Sequence, residues 1–230
     1  MKNGLTLFLG VFATLALSWT GLLLAAHKQL GSLPQFKDPI EETLNPLPLS
    51  GQARQGALVY QDLGCATCHT QQVRHEGSGS DVARGWGERA SYARDYVRDS
   101  VVLTGSSRLG PDLRNVGKRI PDAEYFYKLL YAPEAKVGGA ALAHGMPAHK
   151  FLFTERALAG NQPSYKAVKL PTGFGPADGY EVVPTPRAEA LVAYLLSLKD
   201  TYDYPTERGL NAPAENKEEH GAAKAKEGGH

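Results

Sequence analysis

The chemistry open to this 230-residue chain is bounded by its sulfur. It holds two cysteines and two methionines, and since Met1 is the initiator, sulfur chemistry must use Cys65, Cys68 and Met146. That inventory excludes a disulfide-rich scaffold and a four-thiolate zinc or iron–sulfur site. Both cysteines fall in Gly64-Cys65-Ala66-Thr67-Cys68-His69, a C-x-x-C-H string. Two thiols at that spacing can add to the two vinyl groups of a haem from one helical turn, and the following histidine then projects its imidazole onto the iron. The string predicts one covalently bound haem c, with Cys65 and Cys68 as tethers and His69 as a ligand of the metal. Two rival uses remain. A thioredoxin-like redox pair follows a strand in a βαβ unit, whereas Gly51 to Leu63 reads as helix. A zinc site needs a fourth ligand from His75, His144 or His149.

A haem iron needs a second axial ligand or an open position. Met146 is the one internal methionine and stands in His144-Gly145-Met146-Pro147. Its Gly and Pro neighbours place it in a loop and not on an apolar helical stripe, so a ligand role is favoured over core filling. A thioether there makes the iron six-coordinate and raises its potential. His144 and His149 lie within reach of the same loop, and either would give a bis-histidine iron of lower potential.

Three helices must position these residues. Gly51 to Leu63 carries Gly56, Tyr60 and Leu63 at helical spacing, an apolar face with a small residue where another helix can cross closely. Ala123 to Leu130 follows Asp122, a good N-cap. Pro186 to Lys199 has Thr185 as N-cap, Pro186 at the first helical position, and Leu191, Val192, Leu195 and Leu198 on one side. The first and last of these should cross. No convincing alternating strand is present.

Outside this domain the chain is simpler. Leu5 to Ala26 carries no formal charge and is long enough to cross a bilayer as a helix. A cleaved signal peptide would have a shorter apolar run ending in a small-x-small site, so a retained anchor over 1–28 is expected. Residues 29–50 carry four prolines and read as a semi-extended linker. The packed domain is assigned to 51–203, and 204–230, rich in Ala, Glu, Lys and Gly, to a disordered tail. With 25 Lys+Arg against 24 Asp+Glu the charge is nearly balanced, which argues against nucleic acid as a partner. The arginines between Arg74 and Arg119 lie among Glu76, Asp81, Glu88, Asp95, Asp99 and Asp112 and read as a mixed, solvated or interface surface that also takes in His75.

The anchor, the C-x-x-C-H string, Arg108-Leu109-Gly110-Pro111-Asp112-Leu113, Gly145-Met146-Pro147-Ala148 and the closing Leu191-Val192-Ala193-Tyr194-Leu195 helix together resemble a membrane-anchored class I c-type cytochrome. The stretch from Thr70-Gln71-Gln72-Val73-Arg74 through Ser91-Tyr92-Ala93-Arg94-Asp95 to Leu103-Thr104-Gly105-Ser106-Ser107-Arg108 is similar to the mono-haem subunit of cbb3-type cytochrome c oxidases, called CcoO or FixO. The likeness covers most of Leu5 to Lys199. It departs at Thr104 and Ser107, where that family commonly has Trp and Lys, and at an unmatched insertion from Phe151 to Pro184.

The resemblance implies a mainly α fold, a single N-terminal transmembrane helix followed by a class I cytochrome c domain. It implies that the Pro111 carbonyl orients the His69 ring, and Arg108 is a candidate partner of a haem propionate. It also implies a bacterial inner-membrane subunit with its haem domain in the periplasm. Such a subunit passes electrons to a haem–copper catalytic subunit, alongside other cytochrome c subunits. The small cytochrome c subunit of a nitric oxide reductase and a free-standing anchored donor are the alternatives.

Overall fold

The computed structural model describes residues 3–137, 140–141, 145–160, 162–200 and 202–204. Among these, the residues up to 48 together with 92–102 form one compact unit, and 49–91 with those from 103 onward form another.

In the first unit one continuous helix runs from Gly4 to Leu30. It comprises α1 (Gly4–Ser18), a π-helical stretch (Trp19–Leu24) and α2 (Ala25–Leu30). At 1.5 Å per residue it is about 40 Å long, enough to cross a bilayer. Its leucines and phenylalanines are exposed, with Leu5, Leu7 and Phe8 each more than 60 % so. Water would penalise that surface and lipid would not. The one hydroxyl pointed back onto the helix, Thr14, donates to Gly10 O at 2.8 Å and so needs no water. Within the predicted linker, β1 (Phe36–Lys37) pairs antiparallel with β2 (Leu44–Asn45), and Asp38 closes the turn by accepting from the Ile40 and Glu41 amides. A short 3-10 turn, Ala93–Tyr96, is capped by buried Asp95, which accepts from the Tyr92 amide at 2.8 Å.

The second unit holds α3 (Gly51–Asp62), α4 (Val116–Arg119), α5 (Ala123–Tyr131) and α6 (Pro186–Ser197). The predicted caps are in place: Asp122 accepts from the Glu124 amide and Thr185 from the Ala188 amide, while Ser50 caps α3 through the Ala53 amide. α3 and α6 cross at Gly56, as the small residue on the apolar face predicts. α4 docks on the end of α6, where Gly117 N donates to Leu198 O at 3.0 Å. Around these crossings lies one core of Tyr60, Phe126, Leu130, Tyr131, Leu191 and Leu195. The fold is therefore mainly helical with an N-terminal apolar helix.

The strands are the main correction. β3 (Lys136–Val137) and β4 (Ala140–Ala141) form a two-residue ladder. The insertion contains β5 (Phe153–Ala157) paired antiparallel with β6 (Tyr180–Pro184), in register from Phe153 opposite Pro184 to Ala157 opposite Tyr180. Neither strand alternates. β5 is buried only at its first residue, and β6 is buried at every residue after Tyr180, so a period of two was absent from both. Glu181, buried on β6, accepts from Arg156 Nε at 2.7 Å and from Ser164 N at 2.6 Å. Tyr204, the first residue assigned to the tail, is fully buried with the Arg89 guanidinium 5.0 Å from its ring centroid. The remainder of the tail lies outside the described residues.

Candidate functional site

α3 ends because the chain turns left-handed at Gly64, φ 68°, a conformation in which glycine carries no steric penalty. The turn leads directly into a 3-10 turn, Cys65–Thr67, closed by Cys68 N and His69 N both donating to Cys65 O, at 3.2 and 3.0 Å. Both thiols and the imidazole are thus carried on one rigid turn, half-buried at the edge of the core. Burial pushes the Cys65 thiol up to about 11, with the neighbouring Cys68 adding to the rise. A thioredoxin-like pair follows a strand, whereas this one follows α3. Among the described residues no three His, Cys, Asp or Glu side chains converge as a zinc site would require.

His69 is oriented by the segment 104–114. Its Nδ1 lies 2.8 Å from Pro111 O. A carbonyl only accepts, so Nδ1 carries the hydrogen and Nε2 keeps its lone pair for a metal. Gly110 lies flat against the ring, where a Cβ would come within 2.2 Å of Cε1. Four backbone hydrogen bonds fasten the two segments: Ser106 N to Ala66 O at 3.0 Å, Gly110 N to Cys68 O at 2.9 Å, Leu113 N to Thr70 O at 2.8 Å and Gln71 N to Thr104 O at 2.9 Å. Gly105, at φ 84°, lets the loop pass the His69 carbonyl, which a Cβ there would meet at 2.3 Å.

Behind this pair sit two fully buried carboxylates, Asp81 and Asp112, which the sequence places in a mixed, solvated or interface surface. Asp112 accepts from Thr70 Oγ1 at 2.6 Å, Gln72 N at 2.8 Å and Arg114 N at 2.9 Å. Asp81 accepts from Arg74 N and from the Arg74 guanidinium, and pairs with Arg108 Nη1 at 2.5 Å. Burial alone would raise the Asp81 carboxyl, but hydrogen bonds from Arg74 and Arg108 outweigh it and hold the group well below the usual carboxylate range. Arg108 also donates to Gln72 O at 2.6 Å, and its guanidinium lies 5.7 Å from the Trp86 ring centroid. Arg74 and Arg108 therefore neutralise buried Asp81, while Arg84 and Arg98 lie on the exposed surface that the sequence predicts.

Met146 follows Gly145, which is left-handed at φ 74°, and packs partly exposed against the same core as Cys65, Ala66 and Leu103. His149 is half-buried, its backbone N donating to Leu130 O at 2.7 Å, and burial lowers its imidazole below the usual range. His144 lies outside the described residues. The donor set fits a covalently held haem: two thiols and an imidazole with a free Nε2 on one turn, and a thioether and half-buried apolar side chains around the same core.

Sequence reasoning named Pro111 but gave no role to Thr70, Gly105, Gly110 or Asp112. The glycines were visible in the quoted strings; a glycine next to a ligand-orienting proline signals close backbone approach. Gln71 was likewise missed. Its Oε1 accepts from buried Tyr194 OH at 2.9 Å and ties α6 to the His69 segment.

No curated protein matches the chain. Residues 6–175 match the family described as cytochrome c oxidase, mono-heme subunit/FixO. The matched span takes in the apolar helix, the cysteine turn, the Pro111 loop and Met146, which are the parts that build and carry the site, and stops short of β6 and α6. One haem and assembly with an oxidase follow from that membership, and with most of its length matched the chain belongs to the cytochrome c oxidase mono-haem subunit/FixO family.

Proposed function

We propose that this chain is the membrane-anchored mono-haem cytochrome c subunit of a cbb3-type terminal oxidase, and that it relays electrons to the haem–copper catalytic subunit. The observation that carries the reading is the His69–Pro111 pair directly after two tethering thiols, which leaves one imidazole nitrogen for iron. Bound here, haem c supplies a one-electron couple. Cys65 and Cys68 hold it covalently, so a small domain keeps a cofactor it could otherwise lose. His69 Nε2 and the Met146 sulfur are the residues that would hold the iron, and an iron held by both would pass electrons without binding a substrate. Arg108 spends donors on Asp81 and Gln72 but, with five N–H groups, keeps others for a propionate. The Gly4–Leu30 helix anchors the chain in the bacterial inner membrane with the haem domain in the periplasm.

The test is purification of the membrane complex through a tag on this chain. A haem stain on a denaturing gel should light a band at about the chain's 24.8 kDa. The largest co-purifying subunit should contain haem and copper. An unstained band overturns the haem assignment. Nonhaem iron in place of copper indicates a nitric oxide reductase, and the chain purifying alone indicates a free-standing donor.

A further inference from the structure

We propose that Asp112 is the positioning residue of His69: its buried carboxylate fixes the Pro111 carbonyl against the imidazole and so sets how strongly that ring donates to a bound iron. The inference rests on the haem reading above and goes beyond the ligand set. Asp112 follows Pro111 directly, and its side chain is wholly inaccessible. One oxygen, Oδ2, takes Thr70 Oγ1 at 2.6 Å and Gln72 N at 2.8 Å, while Oδ1 takes Arg114 N at 2.9 Å. The carboxylate therefore joins the residues immediately after His69 to the residues that carry the Pro111 carbonyl. Arg108 braces the same junction, with Nη2 2.6 Å from Gln72 O and 4.0 Å from Asp112 Oδ2. Without the staple, the 2.8 Å contact between His69 Nδ1 and Pro111 O depends on the backbone rungs and on Arg108, Ser107 and Arg119, which hold backbone carbonyls of the two segments. A hydrogen bond from Nδ1 makes an imidazole a stronger donor and favours oxidised iron, so weakening it raises the potential. Simple loosening of the site does the reverse, because water stabilises the more highly charged oxidised state and lowers the potential. Asp112→Asn also removes a negative charge, which by itself raises the potential, so the sign separates positioning from a merely structural role in Thr70→Val, where the charge is unchanged.

The experiment is a redox titration of the c-type absorption band in the purified complex, comparing the unaltered chain with Asp112→Asn, Thr70→Val and Arg156→Gln. Thr70→Val removes one hydrogen bond to the carboxylate with little change of shape and keeps the test alive if Asp112→Asn does not assemble. Arg156→Gln breaks the ion pair to Glu181 in the insertion and is the control. The expected result is a raised midpoint potential in Thr70→Val, a larger rise in Asp112→Asn, and no change in the control. Unchanged or lowered potentials in the first two overturn the assignment of Asp112. An unaltered chain that carries no haem overturns the functional reading itself, and this inference with it.

Discussion

Gly56 on α3 lies so close to the carbonyl of Ala190 on α6 that a Cβ at Gly56 would come within 1.9 Å of the oxygen and 2.6 Å of Tyr194 Cβ. The two helices can approach only because that hydrogen is not a methyl. Gly56→Ala sets two effects against each other. Alanine is a better helix former by about 1 kcal/mol. Overpacking of a close crossing costs about 1–3 kcal/mol, and a backbone oxygen cannot swing away as a side chain could. The clash wins, so the variant should melt lower than the unaltered chain by several degrees in a circular-dichroism thermal scan, about 2–4 °C per kcal/mol lost for a domain of this size. An unchanged or raised midpoint would show that the helices do not cross at this point.

That crossing was legible in the sequence because everything that determines it is local: a glycine on an apolar face, and a cap and a proline that start the partner helix. The cysteine turn was legible for the same reason, as its two tethers and its ligand fall in one C-x-x-C-H string. Asp81 and Asp112 were not. Thr70, which holds Asp112, stands 42 residues away, and of the two arginines that hold Asp81 one, Arg108, stands 27 away; Arg74 is only 7 away, but a charge in a polar stretch reads as solvated until the fold brings its partners to it. The β5–β6 pair was missed because its two strands are unevenly covered, one by solvent and the other by the core, which erases the alternation that marks a half-buried strand.

Gly110 makes the second prediction. Its Cα rests on the His69 ring, and a Cβ would intrude to 2.2 Å from Cε1 and 2.7 Å from Nδ1. Gly110→Ala should tilt the ring or push Pro111 O away from Nδ1, and orienting partners of this kind are worth about 10–100-fold in metal affinity. Because the two thioether tethers do not depend on the ring, haem should still stain on a denaturing gel while the low-spin spectrum is largely lost. A spectrum identical to that of the unaltered chain would show that the ring has room.

Asp81 predicts a pH dependence. Its folded-state carboxyl is held below the ordinary range by Arg74 and Arg108, so the unfolded chain binds more protons as the pH falls. The stability it contributes is complete above the unfolded value of about 4 and is withdrawn below it. Asp81→Asn leaves Arg108, whose side chain is 19 % exposed, without its buried counter-charge and should cost about 3 kcal/mol at neutral pH. Urea titrations of the purified chain in detergent at pH 7 and pH 3 should show a wide gap between the two proteins at the higher pH and a narrower one at the lower. A gap that does not depend on pH would remove the charge from the explanation.

Met146 is the proposed second ligand of the iron. The residue stands in a loop turned by left-handed Gly145, against the core that Cys65 and Ala66 also touch, and His149, three residues on, is the described rival. Burial holds His149 toward its neutral form, which is the form that can ligate, so its exclusion must come from geometry and not from charge. Met146→Ala should leave haem attached, since both tethers are untouched, abolish the near-infrared absorption of iron–thioether coordination and lower the midpoint potential. His149→Ala should leave that absorption in place. If the unaltered chain shows no such band, and His149→Ala but not Met146→Ala changes the low-spin spectrum, His149 is the ligand and Met146 is not, because one iron position cannot be filled by both.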